Sequence, residues 1–138
     1  MPATLPRASE ELITGFAERV ARRDEPRPDL TFFSPERVAD RVAGALEALL
    51  PRGRQHRRAT LARLCLVFVG QPAATVGELD AVSGVHPQTG SRLRALLQAL
   101  GLLEARRVAG RREFGLSRWG EDWLLAAVRG EVAPARPS

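Results

Sequence analysis

Residues 75–93 read Thr-Val-Gly-Glu-Leu-Asp-Ala-Val-Ser-Gly-Val-His-Pro-Gln-Thr-Gly-Ser-Arg-Leu, and they carry the signals for two helices joined by a tight turn. Thr75 and Glu78 have the spacing of a capping box, in which each side chain satisfies an unpaired backbone N–H group at a helix start. The pattern therefore predicts a short helix over residues 76–83, ended by a left-handed Gly84. Pro87 is tolerated at a first helical position, so a second helix is predicted over residues 87–100.

The segments on either side extend this pattern. Two short runs at 102–107 and 111–117 are separated by Val108-Ala109-Gly110, which predicts a hairpin with Gly in its turn. Caps and apolar spacing predict further helices over residues 10–22, 35–50, 58–70 and 118–129. Residues 1–8 are expected to form a loose arm, and the Pro-containing residues 24–33 a connector. The predicted fold class is mainly α with a small β-hairpin.

The positive charge is concentrated in the middle of the chain. The net charge is +5, and all 21 basic residues are Arg. Residues 51–117 hold 11 Arg against four acidic residues, which gives +7, whereas the remainder holds 10 Arg against 12 acidic residues, which gives −2. A basic centre between near-neutral flanks favours a polyanionic partner for that centre.

The second helix of the central pair has a polar and cationic outward face. Leucines at 93, 96, 97 and 100 share the inward face, whereas Gln88, Ser91, Ala95 and Gln98 point outward. Arg92 and Arg94 flank that outward face. Gln and Arg side chains bind base edges in a DNA groove, and Ser, Thr and Arg bind phosphates, so this face suits duplex DNA.

Other arginines cluster nearby. Four surround the hairpin turn, and because they repel one another, a phosphate backbone or a minor groove that neutralises them is the simplest explanation for their proximity. These four are Arg106, Arg107, Arg111 and Arg112. The loop over residues 51–58, which ends at Arg58, contains four more, and it is either a solvated loop or a phosphate-contacting one.

Several classes of function are disfavoured. A single cysteine, Cys65, excludes an internal disulfide framework, and with only His56 and His86 no credible metal cluster is expected. There is no recognisable catalytic set and no phosphate-cradling Gly loop, so neither an enzyme nor a cofactor is predicted. Residues 1–7 lack the apolar run of a signal peptide, and no run approaches the ~18 apolar residues of a membrane span. Cytoplasmic residence without a membrane partner is therefore expected.

Residues 58–125 resemble the winged helix-turn-helix of bacterial MarR-like and ArsR-like transcriptional regulators. The supporting helix and turn match at Val-Gly-Glu-Leu (76–79) and Val-Ser-Gly-Val (82–85), and the recognition helix at His-Pro-Gln-Thr-Gly-Ser-Arg-Leu (86–93). Leu-Gly-Leu-Leu-Glu (100–104) matches the exit into the wing, Gly-Arg-Arg-Glu-Phe-Gly-Leu-Ser (110–117) its return strand, and Leu-Ser-Arg-Trp-Gly (116–120) the turn into the closing helix. Gly90 departs from the pattern, because such helices usually place a buried aliphatic residue there. The metal-binding Cys and His pairs of ArsR-like sensors are absent.

A tail over residues 130–138, which contains two Pro, is expected to be disordered. The resemblance implies a winged helix-turn-helix domain over residues 58–129 and, because extra helices flanking such a domain commonly dimerise these regulators, a helical extension over 1–57 that dimerises. It implies a homodimeric DNA-binding regulator whose recognition helix enters the major groove and whose wing contacts the backbone or minor groove. The predicted DNA contacts are Arg58, Gln88, Thr89, Ser91, Arg92, Arg94, Arg106, Arg107, Arg111 and Arg112. The alternative is a winged-helix protein-interaction module that does not bind DNA. Many MarR-like proteins also bind a small-molecule effector, and the sequence identifies none.

Overall fold

The computed structural model describes residues 9–23 and 29–137. The predicted arm over residues 1–8 and residues 24–28 of the predicted connector lie outside the described residues. The helices are α1 (Glu10–Arg23), α2 (Pro35–Glu47), a 3₁₀ helix (Arg52–Arg57), α3 (Arg58–Gly70), α4 (Val76–Ser83), α5 (Pro87–Ala99) and α6 (Arg118–Arg129). The strands are β1 (Ala74–Thr75), β2 (Leu103–Val108) and β3 (Arg111–Leu116). No helix within the described ranges combines the length and apolar character needed to cross a membrane.

The chain divides into two compact units, residues 1–30 and residues 31–138. The first contains α1, whose N-terminus is capped by the Ser9 hydroxyl, which accepts a hydrogen bond from the Leu12 N–H group at 3.3 Å. Acidic residues lie in the first turn of α1 and basic residues in its last turn, which matches the helix dipole. Taken by itself, α1 carries Leu12, Ile13, Phe16 and Val20 along one face.

The second unit is built around α3. Leu61 and Cys65 of this helix are fully buried. Its sequence is apolar around most of the helix circumference, as is typical of a central helix. Val42 and Leu46 of α2 are also fully buried in the same core, and α2 packs against α3. The structure therefore differs from the predicted division at residue 57, because α2 and the 3₁₀ helix belong to the same compact unit as the winged helix-turn-helix.

The small sheet has three antiparallel strands in the order β1-β3-β2. Strand β1 pairs Ala74 with Phe114, and this two-residue strand was not predicted as such. The predicted hairpin is present, with β2 and β3 joined at Ala109 and Gly110. The fold class, mainly α with a small β-hairpin wing, is confirmed.

The C-terminal segment makes defined contacts, whereas disorder was predicted for it. The Trp119 indole N–H group donates a hydrogen bond to the Pro134 carbonyl oxygen at 3.1 Å. Arg136 donates to the Ala99 carbonyl oxygen at 2.8 Å, at the C-terminal end of α5. The segment over residues 131–137 therefore runs from the end of α6 to the end of α5, and it is held there by the side chains of Trp119 and Arg136.

Candidate nucleic-acid interface

The first helix of the helix-turn-helix, α4, is fixed at its N-terminus by the predicted capping box. The Thr75 hydroxyl accepts a hydrogen bond from the Glu78 backbone N–H group at 3.2 Å, and the Glu78 carboxylate accepts one from the Thr75 N–H group at 3.4 Å. Gln71 donates its side-chain amide to the same carboxylate at 2.6 Å. These hydrogen bonds lower the pKa of Glu78, and the bond from Gln71 has the largest effect. The predicted bounds of α4 are confirmed.

The turn into α5 is set within three residues. Gly84 has a φ of 63°, a left-handed conformation that favours glycine, and it ends α4. The His86 ring nitrogen Nδ1 then accepts a hydrogen bond from the Gln88 N–H group at 3.2 Å, and Pro87 occupies the first helical position. The direction of α5 is therefore fixed by local interactions at its start.

An ion pair joins α4 to α5. Arg94 is only 8% exposed, and its guanidinium donates to the Asp80 carboxylate and lies 5.9 Å from the centre of the Phe114 ring. A β-carbon on Gly90 would lie 2.7 Å from Asp80 Oδ1, so the missing side chain of Gly90 provides the room for this pair. The structure thus places the Arg94 guanidinium between the two helices instead of at the flank of the outward face, so Arg94 is not among the proposed DNA contacts.

The outward face of α5 brings three of the predicted residues together. Gln88, Ser91 and Arg92 are exposed, and Thr89 lies half-buried beside them. On the opposite face, Leu93 and Leu97 are buried in the core. The helix therefore presents a short polar and cationic surface on the side away from the core.

The wing places three arginines near its tip. Ala109 and Gly110 both have left-handed backbones, with φ values of 52° and 77°, as a two-residue type I′ hairpin turn requires. Arg107 lies directly opposite Arg112, and Arg111 lies opposite Val108. Within the part of the chain that the structure describes, no carboxylate forms an ion pair with these three arginines.

The faces of the wing separate these side chains. Arg112 and Phe114 are two residues apart on β3 and so share a face, and the Arg112 guanidinium lies 5.2 Å from the Phe114 ring centre. Arg107 shares that face, because it pairs with Arg112, while Arg111 points to the other. Since like charges directly opposite each other destabilise a strand pair, Arg107 and Arg112 form a site that an anion would stabilise.

Arg106 differs from the other wing arginines. It donates to the Leu116 carbonyl oxygen at 3.1 Å and forms an ion pair with Glu104 at 3.5 Å. Its guanidinium lies against the backbone of Gly115, where a β-carbon would be 3.0 Å from Arg106 Cζ. The structure therefore ties Arg106 to the base of the wing and does not bring it to the tip with the other three.

Arg58 lies apart from the wing, at the first position of α3. It forms an ion pair with Glu47 at 3.4 Å, in which both side chains are about half exposed. An exposed pair of this kind contributes little to stability and leaves donors of the guanidinium available. Arg58 is therefore accessible to a phosphate, although not unpaired.

Sequence reasoning singled out neither Asp80 nor Arg54. Asp80 pairs with a residue 14 positions away, so no local spacing connects the two. Arg54 of the 3₁₀ helix lines a hollow together with Arg92 of α5. The composition of the basic loop signalled a group of arginines, but not which of them would lie beside α5.

The described residues offer cationic and polar groups and little else of chemical use. No three His, Cys, Asp or Glu side chains among them lie close enough to hold a metal ion. Cys65 is fully buried, and burial raises the pKa of its thiol to about 12, so it does not act as a nucleophile. The arrangement is suited to binding a polyanion.

Helices α4 and α5 with the wing define a winged helix-turn-helix, and solved structures share this architecture. A MarR family transcriptional regulator from Silicibacter pomeroyi matches with a TM-score of 0.51 and 20% identity, over 95% of this chain and 86% of that one. RV1404 from Mycobacterium tuberculosis matches with a TM-score of 0.50 and 17% identity, over 94% of this chain and 77% of that one. No protein-family model and no curated protein matches the sequence. The predicted likeness to MarR-like proteins is confirmed for the fold, while likeness to the ArsR-like branch stays a prediction.

Proposed function

We propose that this protein is a transcriptional regulator that binds double-stranded DNA. In this proposal α5 enters the major groove, where Gln88, Ser91 and Arg92 face the bases and the groove edges, with Thr89 beside them. The wing rests on the backbone or in the adjacent minor groove through Arg107, Arg111 and Arg112. Arg58 contacts a phosphate, and the base of the wing is held by Arg106.

The observation that carries the proposal is the combination of an exposed polar face on α5 with wing arginines that have no carboxylate partner among the described residues. A merely solvated surface gains nothing from opposing Arg107 and Arg112 directly, because their repulsion has a cost. A row of DNA phosphates removes that cost. The fold shared with a MarR family transcriptional regulator is consistent with this function.

Selection of bound duplexes from a random DNA pool, followed by fluorescence polarisation at several salt concentrations, tests the proposal. We expect enrichment of one sequence and a logarithm of affinity that falls linearly with the logarithm of salt. Arg92→Ala and Arg111→Ala weaken binding several-fold, whereas Arg129→Ala, at the far end of α6, serves as the matched control. Binding that is undetectable at low salt, or that is unchanged in both interface variants, would overturn the proposal.

The proposal includes a homodimer formed through α1. The helix carries Leu12, Ile13, Phe16 and Val20 on one face. An apolar stripe of this kind is normally buried against another part of a protein, and here a second copy of α1 would bury it. A two-fold symmetric dimer binds two half-sites related by the same symmetry, so the selected sequence should be palindromic. Light scattering at micromolar concentration should give twice the monomer mass. Phe16→Asp should reduce the measured mass to that of the monomer, while Thr14→Asp, on the opposite side of α1, should leave it unchanged.

A protein-interaction module remains the alternative function. A pull-down that recovers one stoichiometric protein partner, whose binding is unaffected by Arg111→Ala, together with a failed DNA selection, would favour it over DNA binding. No catalytic role and no cofactor form part of either proposal.

A further inference from the structure

Arg54 of the 3₁₀ helix lies beside one side of α5. Arg54 lines a hollow of about 320 Å³ whose other walls come from α5: Arg92, Leu93, Ala95, Leu96 and Ala99. Arg92, Ala95 and Ala99 are exposed residues of α5, so the hollow opens beside the surface proposed to enter the major groove. Two arginines from different elements therefore line a single opening.

The 3₁₀ helix is held in this position by side-chain and backbone hydrogen bonds. The Gln55 amide donates to the carbonyl oxygens of Glu47 and Leu50 at 2.9 and 3.1 Å, which satisfies groups at the C-terminal end of α2. The backbone N–H group of Arg54 donates to the Pro51 carbonyl oxygen at 2.9 Å. Arg54 thus projects from a short segment that is attached to the core through α2.

The chemistry of the hollow matches a sugar-phosphate backbone. Its lining is almost entirely apolar, with small side chains at Ala95 and Ala99 that allow a close approach, and its two charged lining residues are Arg54 and Arg92. Among the described residues, neither arginine forms an ion pair with a carboxylate. Deoxyribose is apolar and its phosphate is anionic, so a DNA strand complements both features of this hollow.

We propose that Arg54 and Arg92 together hold one backbone phosphate at the edge of the major groove, with the adjoining deoxyribose over Ala95 and Ala99. This inference rests on the proposed function and refines it in two respects. It adds Arg54, from an element outside the helix-turn-helix and the wing, to the DNA contacts. It also assigns Arg92 to positioning α5 on the duplex and leaves Gln88 and Ser91 to face the bases.

Affinity and salt dependence, measured by polarisation on the selected duplex and on a scrambled duplex of equal length, test this assignment. Arg54→Ala should weaken binding to both duplexes by a similar factor, because a phosphate contact carries no sequence information. It should also reduce the slope of log affinity against log salt by about 0.9. Arg52→Ala, on the same 3₁₀ helix but outside the lining of the hollow, is the matched control. Arg54→Ala combined with Arg92→Ala should weaken binding by less than the product of the single effects, since both contact one phosphate.

A second variant tests the hollow without changing charge. Ala95→Leu fills the floor with a larger side chain at an exposed position, so the fold should be preserved while the DNA strand is held off, and affinity should fall several-fold on both duplexes. If the wild-type chain binds DNA but Arg54→Ala leaves affinity and salt slope unchanged, the inference is overturned and the proposed function stands. If Arg92→Ala alters the preferred sequence instead of the overall affinity, its assignment to phosphate is overturned. A wild-type chain that binds no DNA removes both.

Discussion

The Arg94 guanidinium and the Asp80 carboxylate pair across the two helices of the helix-turn-helix, directly beside the backbone of Gly90. The pair is largely buried, with side-chain exposures of 10% and 25%. Because an ion pair of this kind is directional, it fixes how α5 is rotated on α4, and therefore which side chains α5 presents outward. Gly90, which departs from the pattern of similar helices, is the position that makes the pair sterically possible.

Gly90→Ala should destabilise the protein. In an unconstrained helix the change would contribute ~1 kcal/mol of stability, since Ala is the better helix former. Here the new methyl group displaces the Asp80 carboxylate from Arg94, and we expect a net loss of about 1 kcal/mol in the free energy of unfolding. Urea denaturation measures this. Gly44→Ala in α2, where a β-carbon meets nothing within 4 Å, is the control and should raise stability. Equal gains in both variants would contradict the proposed role of Gly90.

The ion pair should show energetic coupling in a double-mutant cycle. Asp80→Ala leaves the Arg94 guanidinium largely buried without its counter-charge, and Arg94→Ala leaves the carboxylate without its donor. We expect a coupling energy of about 1–2 kcal/mol between the two substitutions, measured from urea denaturation of the two single variants and the double variant. Additive effects would show that the pair does not join the helices.

Arg107→Ala should have opposite effects on stability and on DNA binding. Removing one of two directly opposed arginines relieves their repulsion, so the free energy of unfolding should rise by about 0.5 kcal/mol. The same change removes a proposed phosphate contact, so affinity for DNA should fall several-fold. Thermal denaturation and polarisation measure the two quantities. Arg106→Ala provides the contrast, because Arg106 donates to the Leu116 carbonyl oxygen and its loss should reduce stability. A parallel change in stability and affinity for Arg107→Ala would contradict the arrangement of the wing tip.

The Cys65 thiol should react only when the protein unfolds. Burial raises the pKa of Cys65 from 9.0 to about 12, so at pH 8 the folded chain holds almost no thiolate and shields the sulfur from reagents. Labelling by a thiol-reactive dye should therefore be slow in buffer and complete in denaturant. Because the folded pKa is raised, the unfolded chain ionises first, and stability should decrease as the pH rises above about 9. Fast labelling of the folded protein would contradict the burial of Cys65.

The parts of the fold that depend on residues close together in the sequence were predictable from it. The Thr75–Glu78 capping box placed the start of α4 at Val76, and Pro87 placed the start of α5. Both signals act over three or four residues and need no tertiary information. Strand β1 had no such signal, since its two residues are extended only because Ala74 pairs with Phe114, 40 positions away.

The contacts between elements were less accessible. A helical wheel put Arg94 at the margin of the outward face, but only the position of Asp80 decides that this side chain turns inward. The apolar spacing of α2 was visible in the sequence, whereas the sequence did not show that this face packs against α3. For the same reason the boundary expected at residue 57 lies at residue 30 in the structure. The sequence therefore predicted which residues of α5 and the wing form the candidate site, but not how their side chains are oriented and paired.

Both tryptophans of the chain belong to α6, and the sequence contains no tyrosine. Trp123 is 1% exposed, whereas Trp119 is 9% exposed and donates its indole N–H group to the Pro134 carbonyl oxygen. Ultraviolet fluorescence of the protein consequently comes from this one helix. Release of the C-terminal segment should hydrate Trp119 alone and shift part of the emission to longer wavelength, while unfolding should shift all of it. The protein thus carries its own label-free optical probe, which distinguishes the two events in a single spectrum.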